Sequence, residues 1–353
     1  STLILCAIMS ISTGSSWTTI GTIGIAFLGI GYGLGIPVGI TAGAIICGAY
    51  FGDKQSPVSD STNFAAAVAK TDLYAHTRSM IYSTAPSFVI SLIIFTIIGA
   101  RYHIASIDES QLLQITSGIQ QVFKLTPILL IPLIVMTVMI IKKMPAIPTM
   151  LIAIGIAILE MFIFQHQSFS EILSYMYSGF ISNTGNAAVD RLLTRGGLTS
   201  MTSTVALMFM SLMMAGLMQS TNIMDSVLNK LEKATSSQFG LIATTLISCI
   251  LLSYFAADPY LAMLIPANVL GKKFDDLGLD RSVLSRTLED GATIICPMVP
   301  WGTNGIYCAS TLGISVLAYL PYYFMGFLTP LFSLVLAFTG IGIKKRKKET
   351  ENA

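Results

Sequence analysis

The chain has 353 residues, a formal net charge of +2, 53% hydrophobic residues and only 11% charged ones. Soluble domains carry about 25% charge, so this composition, with a mean hydropathy of +0.74, excludes an ordinary soluble domain and defines an all-α polytopic membrane protein whose first partner is the lipid bilayer. The basic residues fall in short loops and give no ground for a nucleic-acid partner.

Residues 1–34 read as a hairpin interrupted by Ser12-Thr13-Gly14-Ser15-Ser16-Trp17-Thr18-Thr19. Hydroxyls and freed carbonyls at such a tip are hard oxygen ligands for a small cation such as Na⁺, which makes Thr13, Ser15 and Ser16 candidates. The competing reading is helix packing through small hydroxyl residues. Gly29 to Gly35 mimics a dinucleotide fingerprint, but no strand or βαβ unit frames it; close packing or a connection is expected instead.

Residues 36–67 form a span broken by Gly52-Asp53-Lys54-Gln55-Ser56-Pro57-Val58-Ser59-Asp60-Ser61-Thr62-Asn63. Charge at membrane depth is expensive and marks an ion or substrate path, and a helix broken at that depth is tolerated where it lines a cavity. Asp53 and Asp60 lead the candidates, with Lys54, Ser59, Thr62 and Asn63 beside them. A carboxylate in a desolvated site takes a proton more readily, and a bound cation reverses this, so one carboxylate serves either H⁺ or Na⁺. Lys54 is expected to neutralise a carboxylate or meet an anionic substrate. In the competing reading Asp53-Lys54 is an ordinary surface loop.

Apolar runs at 80–100, 125–141, 146–164, 200–220 and 318–341 are long enough to span (roughly 17–25 residues). An amphipathic surface helix is expected within 168–199. Residues 239–270 form a second hairpin, broken near Asp258-Pro259. Residues 288–316 form a second broken span around Cys296-Pro297-Met298-Val299-Pro300-Trp301-Gly302-Thr303-Asn304. Asp258, Thr303 and Asn304 are expected to line a site, and Glu289 and Asp290 to cap a helix start at the membrane surface. His76, His103 and His166 fall in loops and fit no metal spacing. The five cysteines form no CxxC and read as buried small hydrophobes.

The tail Lys344-Lys345-Arg346-Lys347-Lys348 places the C-terminus in the cytoplasm. Walking back from it leaves Arg101, Lys124, Arg191 and Arg195 outside and the other basic residues inside, Lys54 excepted. Each half then runs hairpin, broken span, unbroken span, entered from opposite sides. That is an inverted repeat, with the site at the interrupted segments. The expected division is 1–100 for the rest of the first repeat, 101–124 for an extracellular loop, 125–343 for the second repeat and 344–353 for the basic tail. Symmetry predicts about three more helices, on the order of 100 residues, upstream of Ser1.

Several stretches resemble the NhaC-type sodium/proton antiporter family. They are Ser12 to Trp17, Gly43-Ala44, Gly48 to Lys54, Ser56 to Asn63, Leu284 to Gly291 and Pro297 to Trp301. The resemblance covers essentially the whole chain. It departs at Ala257-Asp258-Pro259-Tyr260, where Gly-Asp-Gln-Tyr is expected, and at Trp301-Gly302-Thr303-Asn304, where Trp-Asn-Thr is expected. It implies two inverted repeats, each with a re-entrant hairpin and a broken helix, in a multi-pass plasma-membrane protein that needs no cofactor. The leading expectation is Na⁺/H⁺ exchange by alternating access, with Na⁺ at Asp53 or Asp60. The alternative is an organic-acid antiporter of the malate/lactate type coupled to H⁺ and Na⁺, with Lys54 meeting the carboxylate. A homodimer is the candidate assembly. An intramembrane aspartyl protease is disfavoured, because Tyr50 stands where its Gly-x-Gly-Asp motif needs glycine and no Tyr-Asp pair occurs.

Overall fold

The computed structural model describes residues 1–102, 117–142, 144, 146–185, 189–190, 193–221 and 235–345. His103, Arg191, Lys230, Lys233 and the basic tail beyond Lys345 lie outside the described residues. Helix dominates, as a bilayer requires when every peptide group must be satisfied internally. Among the described residues the extended pairing is slight: Gly179–Phe180 against Arg195–Gly196, and one bridge from Leu279 to Lys345.

The helices are α1 (Thr2–Thr13), α2 (Ser16–Thr19), α3 (Ile25–Gly33), α4 (Val38–Gln55), α5 (Asp60–Ala69) and α6 (Leu73–Arg101). Then come α7 (Ile131–Ile141), α8 (Ala146–Ile163), α9 (Phe169–Ser178), α10 (Thr202–Ser220), α11 (Gln238–Ala256) and α12 (Pro259–Asp276). The last are α13 (Arg281–Gly291), α14 (Thr303–Leu312), α15 (Val316–Tyr319) and α16 (Phe324–Thr339). By length and composition α6 and α11 can each cross a membrane, and Thr303–Leu312 with Val316–Tyr322 makes a third candidate, bent by 84°. The twelve residues of α1 reach only about 18 Å at 1.5 Å per residue, short of the roughly 30 Å hydrocarbon core.

Residues 1–25, 38–100 and 207–353 form one compact unit; residues 26–37 and 101–206 form another. In the second, α7 packs on α8, and α9 starts with a capping box between Ser168 and Glu171, the local signature of a helix N-terminus. That helix is the amphipathic segment expected within 168–199.

In the first unit α1 lies tightly against α4 because α4 offers glycine where they touch. A Cβ at Gly48 would fall 2.3 Å from the Leu3 carbonyl oxygen, and one at Gly52 2.4 Å from that of Ala7. This Gly-x-x-x-Gly spacing brings helix backbones together without a hydrophobic driving force. A second core forms where α12 and α13 pack between α5 and α11, through Leu241, Ile242, Met263, Leu270, Phe274, Val283, Leu284 and Leu288. The outward faces of α6, α10 and α16 stay apolar (Ile81, Val89, Ile93; Phe209, Met210, Leu217; Phe327, Leu331, Val335), as lipid contact demands.

The expected unbroken span 318–341 is not one helix. Its first residues close the short helix α15, Pro321 supports only a 3-10 turn over Leu320–Tyr322, and α16 begins anew at Phe324. Proline at that point withholds a backbone N–H from the ladder. All five cysteines are buried free thiols.

Candidate functional site

Four helix interruptions in the first unit meet around one cavity of about 430 Å³. The first follows α1. Gly14 takes the left-handed conformation (φ 67), and a Cβ there would lie 2.8 Å from the Val58 carbonyl carbon, so glycine alone lets this break seat against the next one. Ser15 then caps α2, its Oγ accepting from Thr18 N at 3.1 Å. The second break, Ser56 to Ser59, is tied back by Ser56 Oγ donating to the Ile11 carbonyl at 2.8 Å. Ser59 caps α5.

At the third break Ala257 adopts φ 56 and Asp258 caps α12, Oδ1 accepting from Tyr260 N and Leu261 N at 2.9 Å each. The fourth lies between α13 and α14, where Pro297 and Pro300 exclude regular helix. It is pinned to the third by Thr303 N donating to the Ala257 carbonyl at 3.0 Å.

The lining contains three carboxylates, Asp53, Asp60 and Asp258, and the oxygens of Ser15, Ser16, Ser61, Thr293, Thr303 and Asn304. Trp17, Tyr50, Pro259 and Tyr260 complete it. No lysine or arginine is among these residues.

The carboxylates differ. Asp258 is committed to its cap. Asp60, exposed, sits at the α5 N-terminus, with Oδ1 accepting from Ser61 N at 2.9 Å and Oδ2 from the Tyr260 hydroxyl at 2.6 Å. Asp53 is buried in the last turn of α4. Its Oδ2 accepts from Ser16 Oγ at 2.7 Å, while Oδ1 has no hydrogen-bond partner. Helix N-termini carry partial positive charge and C-termini partial negative charge. Asp60 and Asp258 are therefore offset by the peptide dipoles beside them, and Asp53 is not.

Of the residues expected at a site, Ser15, Ser16, Asp53, Asp60, Asp258, Thr303 and Asn304 line this cavity. Thr13, Lys54, Ser59, Thr62 and Asn63 do not. Thr13 bonds within its own turn, Thr62 Oγ1 donates to the Asp53 carbonyl at 3.3 Å, and exposed Asn63 donates back to Pro57 and Ser59. Lys54 is turned away and fully buried, its Nζ 2.8 Å from Asp290 Oδ1. Burial of Asp53 and Lys54 inside α4 also overturns the surface-loop reading.

Glu289 and Asp290 do not cap a helix start. Asp280 caps α13, with Oδ1 accepting from Ser282 N at 2.9 Å. The two acids lie in the last turn of α13, both 0% exposed. Asp290 Oδ1 also accepts from Ser83 Oγ at 3.1 Å, and Glu289 Oε1 from Ser61 Oγ at 2.9 Å. His76 is no loop residue either: it is buried in the first turns of α6, with Nε2 3.3 Å from Glu289 Oε2. Arg286, expected in a loop, is buried too and donates from Nη1 to the carbonyls of Ser79 and Gly342.

Trp17, Tyr50, Ser61, Thr293 and Tyr260 escaped the sequence reading. Tyr50 lies one turn before Asp53, and Tyr260 two residues after Asp258, so proximity to a candidate carboxylate was the available signal.

An acidic, hydroxyl-lined cavity among broken helices, in a bundle with lipid-suited outer faces, defines an integral membrane transporter for cations. A family model described as the Na⁺/H⁺ antiporter family matches residues 48–341. The chain is 37% identical over 348 residues to the Na(+)/H(+) antiporter NhaC of Alkalihalophilus pseudofirmus, covering 98% of this chain and 75% of that one. It is 36% identical over 352 residues to the malate-2H(+)/Na(+)-lactate antiporter of Bacillus subtilis (100% and 75%). It is also 36% identical over 343 residues to the arginine/ornithine antiporter ArcD of Halobacterium salinarum (96% and 70%). No solved structure matches the chain. The chain belongs to the Na⁺/H⁺ antiporter family.

Proposed function

We propose that this chain exchanges Na⁺ for protons across the plasma membrane, with Asp53 the carboxylate that holds the cation on one half of the cycle and a proton on the other. The observation that carries this reading is the free Asp53 oxygen, buried in a cavity of hydroxyl, amide and carboxylate oxygens with no basic side chain in its lining. Hard oxygen donors suit a small hard cation. A carboxylate at this depth has a stable neutral form when the cation leaves. Ser16 holds one Asp53 oxygen in place and leaves the other for Na⁺, with Thr303 and Asn304 as neutral partners.

Two inverted repeats, with re-entrant hairpins at 1–34 and 239–270 and broken helices at 36–67 and 288–316, would rock about this cavity, with the C-terminus cytoplasmic. The chain needs no cofactor and does no covalent chemistry in this scheme.

The organic-acid reading draws on the cavity's volume, which exceeds the needs of one ion, and on the malate and lactate in the name of one relative. It meets a difficulty in Lys54, which faces Asp290 instead of the cavity. An anionic substrate would enter an acidic site with no cationic partner.

The test is proton movement in everted vesicles on adding Na⁺, then malate or lactate, with Asp53→Asn and Asp60→Asn beside the wild type. Na⁺-evoked proton movement lost in Asp53→Asn supports exchange at this site. A response that requires the organic acid refutes it in favour of organic-acid antiport.

A further inference from the structure

Beside Ser61, Glu289 and His76 form a fully buried pair in which Glu289 Oε2 and His76 Nε2 lie 3.3 Å apart, both without a hydrogen-bond partner. His76 Nδ1 lies 2.8 Å from Ser285 Oγ, whose hydroxyl also lies 3.1 Å from the Ser282 carbonyl. With the hydroxyl hydrogen given to that carbonyl, Nδ1 carries the imidazole hydrogen and Nε2 faces Glu289 bare. Glu289 Oε1 already accepts from Ser61 Oγ at 2.9 Å, and Oε2 faces Nε2 at 3.3 Å. Neither Oε2 nor Nε2 has a hydrogen-bond partner. In that tautomer two acceptors oppose each other, and one proton placed between them gives the contact its hydrogen.

We propose that Glu289 and His76 together form a second proton-binding site of the antiporter, separate from Asp53 and reached from the cavity through Ser61. This rests on the reading that the cavity binds Na⁺ at Asp53. Ser61 lines the cavity and donates to Glu289. A hydronium in the cavity gives its proton to Ser61 Oγ and leaves as water, while the Ser61 hydroxyl proton passes to Glu289 and settles on the carboxylate–imidazole pair. Release runs backward through the same O–H exchanges.

The elements packed on α13 are α5, α11, α12 and α16, and α4 and α6 reach it through Lys54 and His76. Asp60 is the ionisable residue of α5, α16 has none, and α11 brings Cys249 and Tyr254. From α12 come Tyr260 and, in its last turns, Lys272, Lys273, Asp275 and Asp276. Cys47, Tyr50, Asp53 and Lys54 come from α4, Arg281, Arg286 and Asp290 from α13 itself, and Tyr74, Arg78, Tyr82 and Arg101 from α6. Lys54 and Asp290 neutralise each other, whereas Arg286 adds positive charge one turn before Glu289. A cation bound at Asp53 and a proton on the pair each raise the electrostatic cost of the other, which is the coupling that exchange requires.

The experiment uses vesicles carrying the whole chain, with Na⁺ as the probe. The ratio of protons to Na⁺ is measured at the gradient where net flux vanishes, and Na⁺/Na⁺ self-exchange is followed in parallel. The wild type is expected to move more than one proton per Na⁺. In Glu289→Gln the ratio falls by one while self-exchange stays within about twofold. His76→Gln should shift the pH dependence of proton uptake with the same self-exchange. Ser61→Ala, which leaves both ends intact, should slow proton movement about tenfold without changing the ratio. A wild-type ratio of one, or an unchanged ratio and pH profile in both Glu289→Gln and His76→Gln, overturns the second site while exchange at Asp53 stands. Loss of self-exchange together with proton flux in Glu289→Gln overturns it by making Glu289 part of the Na⁺ site. A wild type without Na⁺-evoked proton movement overturns the parent reading and this one with it.

Discussion

The Lys54–Asp290 pair allows a direct test of whether Lys54 is structural or meets substrate. Both side chains are 0% exposed, Nζ lies 2.8 Å from Oδ1, and Asp290 Oδ2 has no hydrogen-bond partner. Asp290→Asn keeps a partner for Ser83 but leaves a buried ammonium without its counter-charge. Breaking such a pair from one side costs about 3–5 kcal/mol, a large part of a net stability of roughly 5–15 kcal/mol. Replacing both partners with apolar residues of similar size is often nearly neutral. Lys54→Met with Asp290→Leu should therefore recover most of the loss, since Ser83 Oγ keeps its bond to the Met80 carbonyl at 3.2 Å. In detergent, each single variant should lower the melting temperature by about 5–10 °C, and the double variant should lie near the wild type. The double variant should also retain Na⁺-evoked proton movement in vesicles. The reasoning fails if the single variants melt with the wild type, or if the double variant melts no higher than the worse single one. A stable double variant that has lost transport would return Lys54 to the substrate path.

Among the cavity carboxylates, Asp53→Asn should abolish Na⁺-dependent transport. Asp60→Asn should only weaken it, and Asp258→Asn should chiefly lower stability by loosening the α12 cap; transport set against melting temperature for the three separates these outcomes. Ser16→Ala removes a hydroxyl–carboxylate bond of about 1.5–3 kcal/mol and should raise the Na⁺ concentration for half-maximal transport about ten- to hundredfold. Tyr260→Phe frees one Asp60 oxygen at about 0.5–1.5 kcal/mol; a melting temperature unchanged from the wild type would show that the bond adds nothing. Gly52→Val drives side-chain carbon into the α1 backbone, and size-exclusion profiles should show little folded protein.

What the sequence made legible was the set of breaks. Gly14, Pro57, Asp258-Pro259 and Pro297 to Pro300 each disrupt helix by local chemistry, and all four lie at the cavity. What stayed illegible was long-range pairing. Lys54 meets a residue 236 positions away and His76 one 213 away, and nothing local announces either contact. The misplacement of Glu289 and Asp290 has a local cause. The apolar run after Gly291 reads as the start of a span, yet the helix ends at Gly291, where Ala292 (φ −106, ψ −72) departs from regular helix geometry, and Pro297 and Pro300 keep regular helix from resuming before Thr303. Both acids are left in a closing turn deep in the bundle. The last span failed similarly: its hydropathy continues through Pro321, but its hydrogen bonding does not.

The bonds that join residues 1–67 to residues 257–307 fall into two strengths. Near the exposed edge of the cavity they are single bonds between partly exposed groups: Trp17 Nε1 to Asn304 Oδ1 at 3.2 Å, Tyr307 OH to the Trp17 carbonyl at 2.8 Å, and Tyr260 OH to Asp60 at 2.6 Å. The two neutral bonds contribute about 1 kcal/mol each net, and the Tyr260–Asp60 bond is exposed, so water replaces either partner when the two separate. Below the cavity they are the buried Lys54–Asp290 ion pair and the Ser61–Glu289 hydrogen bond, where no water waits to compensate and separation leaves charge in a low-dielectric interior. In the proposed exchange, a movement that exposes Asp53 to one side of the membrane would part the edge and leave the base closed, with α4, α5 and α13 travelling together while the first and fourth breaks separate. Asp53 lies between the two regions. It is buried, it accepts from Ser16 Oγ at 2.7 Å, and it shares the cavity lining with Asn304, so opening of the edge would change the neutral oxygens around it. A cation held by one carboxylate oxygen and a few neutral donors binds well enough to enter and weakly enough to leave, which transport demands of its site.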